Sequence, residues 1–144
     1  MSLNGPTQPA ADGEDCFVTI RGVRLRYVDW GGGGPLMLLL HGDMRTARSW
    51  DAMIRDLRRD FRVLSLDAKG HGDSEWPSEG YTFAERVKDL ETFCDTLGLR
   101  DVHGVGHSNG GVVMSLLADS RADIFGRLTL LEPMVTVGEE FQRM

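Results

Sequence analysis

Cysteine is scarce in this chain: Cys16 and Cys94 are the only two. They are too few and too scattered for a disulfide framework or a zinc site. Two reduced thiols in a cytoplasmic protein are the simplest account of them. Long apolar runs are also missing. The longest, Leu36 to Leu40, falls far short of the ~20 residues a membrane-spanning helix needs. The first residues show neither the charged start nor the apolar stretch of a signal peptide. Positive charge is in deficit, with 16 basic against 22 acidic residues and a formal net charge of −6. That balance argues against nucleic acid or an anionic membrane as a partner. Compositional bias is absent too: 41% apolar and 26% charged residues are ordinary for a globular protein. The 144 residues suffice for about one domain with a real core, burying roughly two thirds of the unfolded surface. Nothing in the sequence calls for a cofactor or a metal.

What is present reads as an alternation of strands and helices. Residues 1 to 14, rich in Pro, Gly, Asn, Asp and Ala, predict a mobile tail. Cys16 to Ile20 and Arg24 to Trp30 are β-rich runs around Arg21-Gly22-Val23, an antiparallel hairpin signal. In the second run Leu25, Tyr27 and Asp29 alternate with Arg24, Arg26 and Val28. Gly31 to Pro35 breaks the hairpin. Leu36 to Leu40, with no alternation, predicts a strand buried on both faces. Trp50, Met53, Ile54 and Leu57 fall at i, i+3, i+4 and i+7, a helix over about 49 to 59. Arg62 to Leu66 is a second buried strand, followed by loop chemistry from Asp67 to Gly80. Thr82 and Glu85 form a capping-box pattern for a helix with the stripe Phe83, Val87, Leu90, Cys94 and Leu97, closed by Gly98. Val102 to Gly106 is a third buried strand. Gly110 to Ala118 is a small-residue helix turning Val112, Val113, Leu116 and Leu117 inward. Arg127 to Glu132 is a fourth strand, stopped by Pro133. The fold class is therefore α/β: a mostly parallel sheet with an N-terminal antiparallel hairpin and helices on both faces.

Three segments carry chemistry, each directly after a strand. Gly106-His107-Ser108-Asn109-Gly110 fits G-x-S-x-G between a strand and a helix. Turning a strand into a helix within about one residue forces Ser108 into strained backbone geometry. Side chains two positions either side would collide with neighbouring elements, which accounts for Gly106 and Gly110. The hydroxyl is thereby lifted above the sheet at a helix N-terminus, where N–H groups and the helix dipole favour developing negative charge. The second segment is His41-Gly42-Asp43-Met44, whose loop can aim a backbone N–H at the same point. The third is Asp67-Ala68-Lys69-Gly70-His71-Gly72-Asp73-Ser74.

Taken together, HG at 41–42 followed by Trp50, D-x-x-G-H-G-x-S at 67–74, GHSNGG at 106–111 and LLEP at 130–133 resemble the α/β-hydrolase superfamily, in its serine-hydrolase branch. The resemblance runs from about residue 16 to 134. It implies Ser108 as the nucleophile and an oxyanion hole from the backbone N–H groups of Asp43 and Asn109. It implies His41 and Gly42 as a structural motif bracing the oxyanion loop, a loop-tightening role for His71, and a small-molecule acyl substrate such as a carboxylic ester. Serine at the elbow argues against the epoxide hydrolase and haloalkane dehalogenase branches, which resemble this scaffold but use aspartate there.

Two departures stand out. Asp43 occupies an oxyanion-loop position where a carboxylate facing the hole would oppose the oxyanion. It is tolerable only if it is turned away or protonated. Second, the fold's triad runs Ser, acid, His, yet all four histidines, His41, His71, His103 and His107, precede Ser108 in the chain or adjoin it. Glu132, at a strand end used for the acid in some branches, is the acid candidate. A pocket-lining or structural role is its alternative. Asp67 is expected to hold its loop, and Trp50 and Trp76 are expected in the core, with a pocket-lining place as their alternative. The organisation that follows is a tail over 1–14, the N-terminal half of a hydrolase domain over 15–134, and the start of a lid over 135–144. The rival reading is a non-catalytic or degenerate hydrolase fragment acting as a binding module, or one half of a split enzyme. On any of these, the strand ending at Glu132 is left as an open sheet edge, and self-association through it is expected.

Overall fold

The computed structural model describes residues 12–133. The tail expected over 1 to 14 lies outside the described residues as far as residue 11, and Glu14 is already in a strand. The lid segment of 135 to 144 also lies outside them. Strands β1 (Glu14–Ile20) and β2 (Val23–Gly31) form the hairpin, turning at Arg21-Gly22. Both turn residues have positive φ, 50° and 81°, as a tight hairpin turn requires. Then follow β3 (Leu36–Leu40), a 3₁₀ turn (Ala47–Trp50) running into α1 (Asp51–Leu57), and β4 (Arg62–Leu66). After them come α2 (Phe83–Leu97), β5 (Val102–His107), α3 (Asn109–Ser120) and β6 (Phe125–Leu131). The single sheet has the order β1-β2-β4-β3-β5-β6. β2 meets β4 antiparallel, while β4, β3, β5 and β6 run parallel.

The unbroken leucine run of β3 is explained by cover on both sides. Leu38 and Leu40 pack with Leu90, Phe93, Cys94, Val113, Met114 and Leu117 of α2 and α3. Met37 and Leu39 pack the other way, with Ala47, Trp50 and Ile54. Alternate side chains of a strand point to opposite faces, so a strand with helices on both sides needs apolar residues throughout.

Three expectations are corrected. The helix of 49 to 59 starts earlier, because the Thr46 hydroxyl accepts from Arg48 N and caps a 3₁₀ turn. The turn shifts the inward face to Ala47, Trp50 and Ile54, leaving Met53 46% exposed. In α3, Met114 is buried and Leu116 lies 41% exposed. The helix packs on α2 as well as the sheet, so its buried arc is not the stripe read from spacing. In α2, Phe93 joins the buried face, and Glu85 does not complete the capping box. Its carboxylate pairs with Arg21 at 2.9 Å instead. Arg26, which alternates with Leu25 and Tyr27 along β2, is buried against Asp67.

Candidate active site

Because β3, β4 and β5 are in register, with Leu40 beside both Leu66 and Gly106, the segments after them emerge at one edge of the sheet. The first is braced by His41. Its Nε2 accepts from Ala68 N at 3.1 Å, so the ring proton is on Nδ1, which donates to Gly42 O at 2.7 Å. The imidazole thus ties the end of β3 to the end of β4. Burial pushes its pKa down, and a second proton would cost the Ala68 bond, so His41 stays neutral and structural.

Asp67, fully buried, organises the second segment. One oxygen accepts from Ala47 N at 2.7 Å, the other from Asp73 N at 2.9 Å and from Arg26 Nε at 2.7 Å. Ser74 Oγ closes the loop by donating to Asp67 O at 2.7 Å and accepting from Arg26 N at 2.8 Å. His71 Nδ1 meets Lys69 O at 3.1 Å. Asp67 and His71 thus hold their loop as the sequence indicates. Trp50 is in the core, but Trp76 is 69% exposed, with its Nε1 donating to Gly72 O at 3.2 Å. That corrects the expectation of a core Trp76. The loop hydrogen-bonds the indole at its surface instead of folding over it.

Ser108 follows β5 and is the N-cap of α3, with φ 51° and ψ −120°. Positive φ in a non-glycine residue is uncommon and costs of order 1–3 kcal/mol. The turn is tight enough to exclude side chains: a Cβ on Gly106 would stand 2.6 Å from Gly111 Cα, and one on Gly110 would press on Leu40 O and His41 O. The strained serine does not spend its hydroxyl on capping the helix, although serine is a strong N-cap. Its amide instead donates to Leu131 O at 2.9 Å, which puts the end of β6 and the exposed Glu132 next in line. Glu132 itself has φ 47°.

The Gly42 loop lies against this elbow: a Cβ on Gly42 would be 3.0 Å from Ser108 Cβ and 3.1 Å from His107 Nδ1. Among the described residues, neither the Asp43 N–H nor the Asn109 N–H is taken by another backbone carbonyl. The Asp43 carboxylate is bound sideways: one oxygen receives the Asn109 Nδ2–H, the other Arg86 Nη1 at 2.9 Å. Burial raises its pKa, but Arg86, Asn109 and His71 outweigh burial and hold it below the ordinary aspartate value. Asp43 is therefore turned to a guanidinium that favours its ionised form, which is the turned-away arrangement and not the protonated one. Arg86 is the site residue that sequence reading passed over. With Asp89 and Phe93 it recurs every three or four residues along α2, interleaved with the apolar stripe, and no periodicity separates such a charge from a solvated one. A cavity of about 30 Å³, walled by Asp43, His71, Arg86, Lys69, Asp89 and Asn109 among others, opens beside them. Lys69 and Asp89 form a buried ion pair at 2.9 Å. His103 is remote from all this, bonded to Thr129 and edge-on to Phe61.

Among the described residues, no three or more His, Cys, Asp or Glu are grouped as they would be to hold a metal ion, and no helix is long and apolar enough to cross a membrane.

The comparisons with known proteins agree with this arrangement. The chain is 34% identical over 134 residues to Epoxide hydrolase 4 of Mus musculus, covering 90% of this chain and 36% of that protein. It is 39% identical over 97 residues to the Non-heme haloperoxidase of Rhodococcus erythropolis, covering 66% of this chain and 35% of that one. Among solved structures, epoxide hydrolase VrEH1 from Vigna radiata superimposes with a TM-score of 0.81 at 29% identity, covering 89% of this chain and 43% of that one. The chain thus spans well under half the length of these relatives. The model of the alpha/beta hydrolase fold matches residues 35–144, and with the strand order and the elbow geometry it establishes that this chain belongs to the alpha/beta hydrolase fold family.

Proposed function

We propose that the chain supplies the nucleophile and oxyanion hole of a serine hydrolase acting on a carboxylic ester or related acyl substrate. Ser108 Oγ attacks the acyl carbon. The oxyanion so formed is received by the Asp43 and Asn109 N–H groups, at the positive end of the twelve-residue α3. Collapse expels the leaving group and leaves an acyl-serine, which water then hydrolyses. The observation that carries this reading is a strained serine whose hydroxyl does not cap its helix, packed against the Gly42 loop, with the Asp43 and Asn109 amides taken by no backbone carbonyl among the described residues. Relatives with epoxide hydrolase in their names raise epoxide opening as an alternative. Serine at 108 weighs against it, because the resemblance to the superfamily implies an aspartate at that position in the epoxide hydrolase branch.

The base is the open part of the mechanism. His41 is locked neutral as a brace, and His103 is turned to Thr129. His107 precedes the nucleophile directly, on the Gly42 side. Glu132, beside the elbow through Leu131, is the carboxylate we propose as the acid that would orient a base. No histidine follows Ser108 in these 144 residues, so turnover by this chain alone is expected to be slow.

The test is covalent capture on prolonged incubation with excess reagent, which needs no turnover although, without a base, it too is slow. Incubation with a fluorophosphonate, followed by peptide mass spectrometry, should place one adduct on Ser108 and none in Ser108→Ala. An adduct elsewhere, or none on Ser108, would sink the assignment. A second reading concerns association. The edge strand β6 carries Leu130 and Leu131 at 39% and 37% exposure. We propose that two copies pair through it. Sedimentation should show a dimer that Leu131→Lys returns to monomer, since an inward-facing charge blunts an edge; a monomer at all concentrations would refute it.

A further inference from the structure

An ionised carboxylate at the mouth of an oxyanion hole is a liability, and the way this chain contains it points to a residue outside the serine-hydrolase machinery. Asp43 and Asn109, the two residues whose backbone amides form the proposed hole, are joined through their own side chains, Asn109 Nδ2 donating to Asp43 Oδ2. The second Asp43 oxygen is held by Arg86 Nη1 at 2.9 Å, with His71 Nε2 at 3.8 Å from the same oxygen. Arg86 is itself fixed. Its Nε donates to Tyr81 O at 3.1 Å, and its guanidinium lies 5.6 Å from the centre of the Phe83 ring. It is only 24% exposed, so solvent screens its pairing with Asp43 only in part.

The chain of contacts therefore runs Tyr81, Arg86, Asp43, Asn109, from the start of α2 across to the N-terminus of α3. Each link is short and at least one partner of each is charged or held by backbone. Two consequences follow from elementary electrostatics. The guanidinium cancels the negative charge that would otherwise stand one side chain away from a developing oxyanion. The bridge also fixes the spacing of two amides contributed by different loops, and an oxyanion hole works only when its donors are preorganised.

We propose that Arg86 is a positioning residue of this site, which neutralises Asp43 and locks the Asp43–Asn109 bridge so that both amides stay aimed at the oxyanion. The proposal rests on the serine-hydrolase reading. It does not concern the hole itself but a guanidinium on α2 that makes an aspartate tolerable within it. The other charges facing Asp43 are few. His71 approaches from the β4 loop, and Lys69 lies in the same cavity wall but is committed to Asp89 at 2.9 Å. Neither replaces Arg86.

The test has two readouts on the 144-residue chain. The first is the titration of the Asp43 carboxyl, followed by carbon-13 NMR in the wild type and in Arg86→Met. Asp43 should titrate at clearly higher pH once Arg86 is gone. An unmoved Asp43 overturns the tether whatever the chemistry does. The second is the rate of fluorophosphonate capture by Ser108. Arg86→Met should slow it about tenfold, less than the ~10²–10³ that losing a hole donor itself costs. Adding Asp43→Asn to Arg86→Met removes the bare charge but keeps the backbone amide, and should restore the rate to within about threefold of wild type. If Arg86 only supports the fold, the double variant will be no faster than Arg86→Met, and the proposal falls. If Ser108 is not captured at all in the wild type, the serine-hydrolase reading fails and takes the proposal with it. The Asp43 titration would then still report whether the ion pair exists.

Discussion

The ends of β4 and β5 lie level at one edge of the sheet, yet they treat their polar groups in opposite ways. At the end of β4, the carboxylate of Asp67 is fully buried and both its oxygens are used, by Ala47 N, Asp73 N and Arg26. At the end of β5, the hydroxyl of Ser108 is left out of the helix cap and the nearby amides of Asp43 and Asn109 are left without carbonyl partners. A polar group that is buried and fully bonded serves the fold, because removing any partner strands the rest in low dielectric. A polar group held free by a strained backbone costs stability and is kept for another molecule. The same motif-level signal in sequence, a short Gly-rich segment after a strand, thus covers a structural knot in one place and, in the other, a strained serine that we propose as the nucleophile.

The comparison can be broken most severely at the β4 end. Asp67→Ala leaves Arg26 buried without its closest partner and frees two backbone amides. Breaking a buried pair in this way costs about 3–5 kcal/mol, a large share of the ~5–15 kcal/mol that holds an ordinary domain folded. A chain that still melts cooperatively, with its denaturant midpoint near the wild-type value, would show that Asp15 and Asp73, at 3.0 and 3.4 Å from the same guanidinium, suffice to hold it.

A smaller loss is expected from the elbow's steric shell. Gly106→Val or Gly110→Val drives a side chain into Gly111 or into the carbonyls that end β3. Overpacking typically costs about 1–3 kcal/mol, read as a lower urea midpoint at constant slope. Neutral behaviour of both variants would mean that the turn can open and that Ser108 is not held under strain. The smallest effect belongs to Ser108→Ala. It deletes a hydroxyl with no helix-capping duty, so the midpoint should stay within about 0.5 kcal/mol of wild type or rise slightly, as substitutions at strained functional positions often do. A marked loss of stability would make Ser108 a structural residue like Asp67 and erase the contrast.

Much of this molecule was legible in its residues. The hairpin, the four parallel strands and the two long helices follow from breaker residues, apolar runs and caps, all of which act within a few positions. Leu36–Leu40 and Arg62–Leu66 begin and end in the structure where spacing places them, because Gly, Pro and polar turns bound them on each side. The elbow was legible for the same reason: the demand for Gly106 and Gly110 arises from atoms close in the chain or in the next strand. Misreadings cluster where a side chain's surroundings come from far away. Nothing local marks Arg26 as buried, because its carboxylate partner is 41 positions on. Met53 and Leu116 fit helical stripes, yet the turn before one helix and the packing of the other rotated them outward.

Sequence by itself determined the order and type of the elements, the family, and the position of the strained serine, because those depend on local backbone preference and on hydrophobic period. Tertiary structure alone decided that Arg26 is buried against Asp67, that His41 braces its loop in the neutral form, and that Asp43 turns sideways to Arg86 and Asn109, residues 43 and 66 positions away. The physical reason is that a charge is defined by what surrounds it. Its burial, its partner and hence its protonation are set by elements that only the sheet's crossing order brings together.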